Sequence, residues 1–189
     1  MPRRGRHCRA MPDTAPTPAP FALRPHAPGD LGWLIGRHGA VYAQSFGWTI
    51  AFEALVARIA ADFIERFDPT LEGCWIAERA TPAGPQRLGA VCLVQARDDS
   101  TQAIEPGVGQ LRLLLVEPAA RGLGVGSALV AECQRFARQA GYRQMRLWTQ
   151  SCLLDARRIY ARAGWHLVDT EPHHSFGQDL LGERWELTL

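Results

Sequence analysis

The residues with the clearest chemical signature are Arg121, Gly122, Gly124, Gly126 and Ser127, which follow the apolar run Leu111 to Val116 after a break at Pro118. Glycines at alternate positions let a backbone approach a ligand closely and turn its N–H groups toward it. Downstream, Leu129, Cys133, Phe136, Ala137 and Ala140 fall at helical spacing, and Gly141 ends the pattern. The glycines therefore sit at a helix N-terminus, where free N–H groups and the helix dipole favour an anion such as phosphate.

Three phosphate-binding patterns compete at this turn. The P-loop requires Gly-Lys-Ser/Thr after its glycines, and the chain contains no lysine. A dinucleotide fingerprint begun at Gly122 and Gly124 puts Ser127 where its third glycine belongs, and no acidic residue about 20 positions on is placed to hold a ribose. The third pattern is Arg/Gln-x-x-Gly-x-Gly/Ala behind Val-x-Pro, and Val116, Pro118, Arg121, Gly124 and Gly126 meet it. It resembles the pyrophosphate loop of the GNAT superfamily of acyl-CoA N-acyltransferases. Further on, Ala156 to Trp165 resembles that family's Ala-x-x-x-Tyr-x-x-x-Gly-Phe segment, with Tyr160 at its centre. The segments Arg37 to Tyr42, Phe46 to Trp48 and His173 to Gly177 also resemble a bacterial GNAT subgroup found fused behind a MarR-type winged helix, which has no counterpart in this sequence.

The resemblance implies an acetyl-CoA-dependent N-acetyltransferase acting on a small-molecule or amino-acid-like amine by direct attack in a ternary complex. An acyl-CoA-sensing module without turnover is the alternative. In the family the pantetheine arm lies between the splayed fourth and fifth strands, which by motif position assigns backbone atoms of Leu114 and Val116 to it. Arg121 and the backbone of Gly122, Gly124, Gly126 and Ser127 would hold the pyrophosphate, and Tyr160 would face the leaving thiolate. An alkylamine of pKa about 10.4 costs roughly 4 to 5 kcal/mol to deprotonate at pH 7, so a proton acceptor is needed. Glu117, Glu53, Glu72, His174 and a water chain are the candidates, with Glu117 carried forward as catalytic. Arg112 stands where several relatives carry a glutamate, and Leu153 where many carry an asparagine. Trp33, Tyr42, Phe46 and Trp48 are candidates for an aromatic acceptor pocket or for core packing. His173 and His174 have no further ligands at metal spacing, so no metal is expected.

These groups need elements to position them. Phe21 to Pro25 reads as a strand. Pro28 to about Gln44 reads as a helix with Asp30 as its cap, and Phe52, Leu55, Val56, Ile59, Phe63 and Phe67 mark a second helix. Two strands, Cys74 to Arg79 and Arg87 to Gln95, precede a polar loop over 97–109 and the central strand. After the glycine turn and its helix come a strand at Gln144 to Thr149, a helix at Leu153 to Ala163, and strands at Trp165 to Asp169 and Arg184 to Leu189. Thr170 to Glu183 reads as a long, functional loop. The expected fold is α/β (α+β): a mixed, mostly antiparallel sheet of six to seven strands, splayed between the fourth and fifth, with about four helices.

With 189 residues and 47% apolar content the chain is long enough for one cored domain, read here as 21–189 behind a basic, Pro-rich tail at 1–20 that is expected to be disordered. Met11 is a conceivable alternative start. A net charge of +2 with both signs interspersed gives no nucleic-acid footprint, and no apolar run is long enough to span a membrane. Five cysteines without a Cys-x-x-Cys pair, four of them in apolar patterns, point to reduced core thiols and a cytoplasmic setting. A homodimer is left open.

Overall fold

The computed structural model describes residues 20–98 and 100–189. The chain runs β1 (Ala22–Pro25), α1 (Asp30–Phe46), α2 (Ile50–Arg66), β2 (Gly73–Arg79), β3 (Gln86–Arg97) and β4 (Ile104–Val116). A 3-10 turn at Pro118–Ala120 leads into α3 (Val125–Gln139), β5 (Gln144–Gln150), α4 (Leu154–Arg162), β6 (His166–Ser175) and β7 (Gln178–Thr188). The expected tail falls outside the described residues apart from Pro20.

One seven-stranded sheet is formed, in the order β1-β2-β3-β4-β5-β7-β6. Only β4 and β5 pair in parallel, because α3 carries the chain back across the sheet between them. Successive side chains of a strand point to opposite faces, and the inner strands β2 and β3 are apolar on both. Trp75, Ala77, Val91 and Leu93 pack with Leu129, Cys133 and Ala137 of α3. Their neighbours Cys74, Ile76, Ala90 and Cys92 pack with Leu34 and Val41 of α1 and Ala60 and Phe63 of α2. Two helix layers thus clamp the sheet, and the site lies where the sheet opens between them.

Four expectations need correction. The loop over 97–109 is shorter, because β4 starts at Ile104 and its first half pairs with the end of β3 despite Pro106 and Gly107. The stretch Thr170 to Glu183 is not a long loop: β6 and β7 form a hairpin paired from His166↔Glu186 to Ser175↔Gln178, with one register shift between Leu167 and Asp169. Its two-residue turn places Phe176 at φ 57° and Gly177 at φ 80°, the left-handed pair that suits the twist of a tight hairpin. Of the cysteines, Cys74, Cys92 and Cys133 are buried free thiols, whereas Cys152 is exposed in the turn after β5.

The last correction concerns Asp30, which does not cap α1; Gly29 occupies that position. The Asp30 carboxylate is fully buried and joins β1, α1 and β3 through Arg24 (2.6 Å), Arg87 (2.6 Å) and the Ala27 N–H (2.8 Å). Burial alone would raise its pKa, but the hydrogen bonds from Arg24, Ala27 and Arg87 outweigh it and bring the group down to about 2. A depressed folded-state value stabilises the fold above the unfolded pKa near 4 and loses that contribution as pH falls toward 2. We expect Asp30→Asn to remove about 2 kcal/mol at pH 7 and to flatten the acid limb of a stability–pH curve between about pH 4 and pH 2, measured by urea denaturation.

Candidate active site

The pairing of β4 with β5 covers only Val108–Gln110 and Gln144–Arg146. Beyond it β4 follows β3 to Val116, while β5 follows β7 to Gln150. From Leu111 to Val116, the edge of β4 that faces β5 therefore has no strand across from it. A bulge produces the divergence: pairing with β3 steps from Cys92↔Arg112 to Ala90↔Leu115, and Leu113 takes φ 54°. A branched side chain in that region costs roughly 1–3 kcal/mol and persists only where its surroundings impose it.

At the far end of β4 the glycine turn is built as its spacing predicts. Gly122 and Gly124 have φ of 81° and 80°, and Gly124 is the N-cap of α3 with no side chain capping that end. The N–H groups of Val125, Gly126 and Ser127 thus begin the helix without intrahelical acceptors. Gly126 has a second reason to be glycine, since a Cβ there would lie 2.6 Å from Ile159 Cδ1 and 3.3 Å from Val116 Cγ2. It lets α4 lie close against the start of α3.

Beneath the splay is a cavity of about 110 Å³. Leu111, Arg112, Leu113 and Leu114 form one wall and Trp148, Thr149 and Gln150 of β5 another, with Tyr160 of α4 among the lining residues. On the other side of the sheet, His38 and Tyr42 of α1, Trp48, and Phe52 of α2 complete it. The hairpin tip borders this side: Phe176 packs 5.0 Å from the rings of both Trp48 and Phe52. Two hydrogen bonds fix the tip, from Thr49 N–H to the Phe176 carbonyl (3.1 Å) and from Gln178 Nε2 to the Phe46 carbonyl (2.6 Å). Tyr42 and Trp48 therefore line the cavity as expected, and Phe46 supports them at 5.6 and 5.8 Å. Trp33 does not take part; it lies under the Arg87 guanidinium, 5.7 Å from the ring centroid.

Tyr160 is 4% exposed, with Trp165 and Trp185 at 6.0 and 6.3 Å from its ring. Its hydroxyl makes no hydrogen bond to a described residue. Burial, with a smaller contribution from Tyr42, pushes the phenol pKa well above its ordinary value.

The sequence candidates for a proton acceptor are placed very differently. Both oxygens of Glu117 are held by Arg37, at 2.5 and 2.7 Å, and Glu117 is not among the residues lining the cavity. Glu72 accepts the N–H groups of Asp68 and Gln95, closing the turn before β2. Glu53 leans on Gly39, so that a Cβ added at Gly39 would clash with its Oε2. His174 is an exposed strand residue paired with Asp179 at 2.7 Å. His173, its neighbour, lies over Trp148 and contacts Gln150 Oε1 at 3.1 Å. Leu153 is the N-cap of α4 and lines the cavity, and Arg112 lines both this cavity and a second, more polar cleft toward Asp62 and Arg66.

Sequence reasoning gave no role to His38. It is 2% exposed on the buried stripe of α1 that includes Leu31, Leu34 and Val41, and its Nδ1 lies 2.9 Å from the Leu34 carbonyl oxygen. Its position on that stripe was the available signal. No cluster of three or more metal-ligand side chains occurs among the described residues, and none of their helices is long and apolar enough to cross a membrane.

A family model described as the acetyltransferase (GNAT) family matches residues 42–165. The chain belongs to this family. Among solved GNAT-fold structures, yncA of Salmonella typhimurium, determined with its cofactor acetyl-CoA, superposes with a TM-score of 0.70 over 89% of this chain and 94% of its own, at 16% identity. A GCN5-related N-acetyltransferase from Kribbella flavida gives 0.69 over 92% and 100%, at 20% identity. In sequence, the chain is 31% identical over 172 residues to a mycothiol acetyltransferase of Kineococcus radiotolerans, covering 89% of this chain and 49% of that protein. An uncharacterized N-acetyltransferase of Schizosaccharomyces pombe is 38% identical over 69 residues, covering 36% of this chain and 41% of its own length. The GNAT chain described here thus spans about half the length of these curated relatives or less.

Proposed function

We propose that this GNAT protein is an acetyl-CoA-dependent N-acetyltransferase that transfers acetyl to a small amine by direct attack in a ternary complex. The observation that carries the reading is the opening between β4 and β5, with the uncapped N-terminus of α3 at one end and the buried Tyr160 among its lining residues. Family membership and the yncA structure with acetyl-CoA support the same cosubstrate.

In this reading the open edge of β4, at Leu114 and Val116, pairs with the amides of the pantetheine arm, as a neighbouring strand would. The N–H groups of Gly122, Gly124, Gly126 and Ser127, with the Arg121 guanidinium, hold the pyrophosphate. The amine enters from the aromatic side between α1, α2 and the hairpin tip and attacks the acetyl carbonyl. As the tetrahedral adduct collapses, the C–S bond breaks and the electron pair goes to sulfur. Tyr160 donates a hydrogen bond to that thiolate; its raised pKa makes full proton transfer still less favourable than for an ordinary phenol. Glu117, paired through both oxygens with Arg37, anchors α1 to the end of β4 in this reading.

Purified protein with acetyl-CoA and a broad panel of amines tests this directly. Amine-dependent release of free thiol, with the acetylated amine identified by mass spectrometry, is the expected result. Tight acetyl-CoA binding without thiol release from any amine would replace the enzyme by a sensing module.

A further inference from the structure

The cavity's chemistry narrows the acceptor. Among the described residues lining it there is no carboxylate, and the one charged side chain is Arg112, a cation. An alkylammonium would therefore enter an aromatic space with no carboxylate on its wall to take up its charge. The same wall holds one group with a lone pair suited to a proton. The contact of His38 Nδ1 with the Leu34 carbonyl requires an N–H donor, so Nδ1 carries the ring proton and Nε2 the lone pair. No described residue hydrogen-bonds Nε2. The ring is stacked on Tyr42 (5.6 Å, 13°) and flanked by Phe52 (6.0 Å), and the other titratable or charged groups on the lining are Tyr160 and Arg112.

We propose that the acceptor is a weakly basic amine on an aromatic body, uncharged at pH 7, and that Nε2 of His38 takes the proton its nitrogen sheds on attacking the acetyl carbonyl. This rests on the N-acetyltransferase reading. The N–C bond forms as the nitrogen lone pair attacks, the nitrogen's proton passes to Nε2, and the C–S bond breaks with its electrons going to the sulfur that Tyr160 faces. The imidazolium then returns its proton to solvent, giving the amide, the thiolate and one proton. Burial supports the assignment by lowering the His38 pKa to about 4, opposed only in part by the Leu34 hydrogen bond, so the ring is neutral at pH 7. Such a base cannot deprotonate an alkylammonium of pKa about 10.4, a transfer uphill by a factor on the order of a million. It is well matched to the acidic N–H of an adduct formed from a weakly basic amine.

The isomers 4-methylaniline and benzylamine are nearly equal in volume but differ in charge at pH 7, which makes them the decisive pair. With saturating acetyl-CoA we expect kcat/KM for 4-methylaniline to exceed that for benzylamine by about tenfold or more. His38→Gln should lower kcat for 4-methylaniline about 100-fold with acetyl-CoA affinity unchanged, the unchanged affinity also showing that the variant is folded. Independently of any acceptor, ¹⁵N NMR of histidine-labelled wild-type protein should show His38 protonated at Nδ1 and bare at Nε2 at pH 7. An Nε2-protonated ring, or wild-type kcat in His38→Gln, overturns the role of His38. Transfer confined to alkylamines overturns the acceptor class while leaving N-acetyltransfer intact, and thiol release with no amine of either kind sinks both readings.

Discussion

Tyr160→Phe is expected to lower kcat about 10- to 1,000-fold, with acetyl-CoA affinity and thermal stability close to wild type. The ring would keep its place against Trp165 and Trp185, and the hydroxyl it loses has no hydrogen bond to a described residue to break. A tyrosine kept only for packing would usually satisfy its hydroxyl on a carbonyl, as Tyr142 does on Leu71 at 2.9 Å. Tyr160 lines the cavity without such a partner among the described residues. Single-turnover measurement of thiol release separates the chemical step from product release, and a variant with the wild-type chemical rate would reduce Tyr160 to a core residue.

The second large effect is expected at Gly124, where valine should weaken acetyl-CoA binding about 100-fold or more while the protein still folds. Gly124 has φ 80°, and a Cβ added there meets no protein atom within 4 Å. The new side chain would thus stand in the open space before the α3 N-terminus, where the pyrophosphate is proposed to lie. It would also pull the turn out of the left-handed conformation, at a cost of roughly 1–3 kcal/mol. Titration calorimetry gives the affinity and a thermal melt shows the fold; full affinity in a folded variant would move the pyrophosphate elsewhere.

Elements with strong local patterns were legible in the sequence, and those defined by partners were not. The helical spacing of Phe52, Val56, Ile59 and Phe63 in α2 and the glycine turn before α3 are local, and both gave the observed element. The hairpin was missed because β6 is an edge strand exposed along most of its length, so Thr170, Glu171, Pro172 and His174 show no apolar alternation. The first half of β4 was missed because Pro106 and Gly107 look like loop residues, although β3 pairs alongside them. Within the candidate site, the glycine turn before α3 followed from spacing, whereas Arg37, the partner of Glu117, and Gln95, one partner of Glu72, lie 80 and 23 residues away, where no spacing rule reaches. His38 stood in view on α1, but only the closure of the sheet against that helix makes it part of a cavity.

The unpaired margin of β4 has a colloidal consequence. Most proteins confine bare strand edges to the two ends of a sheet and blunt them with charge or proline. Here such an edge also lies in the middle, beside Leu111, Leu113 and Leu115, in the form to which an extended chain can add. Whatever fills it, a cosubstrate arm or a stray peptide, competes for the same row of amides. A cosubstrate arm bound there as proposed would also mask that edge from a second copy of the chain.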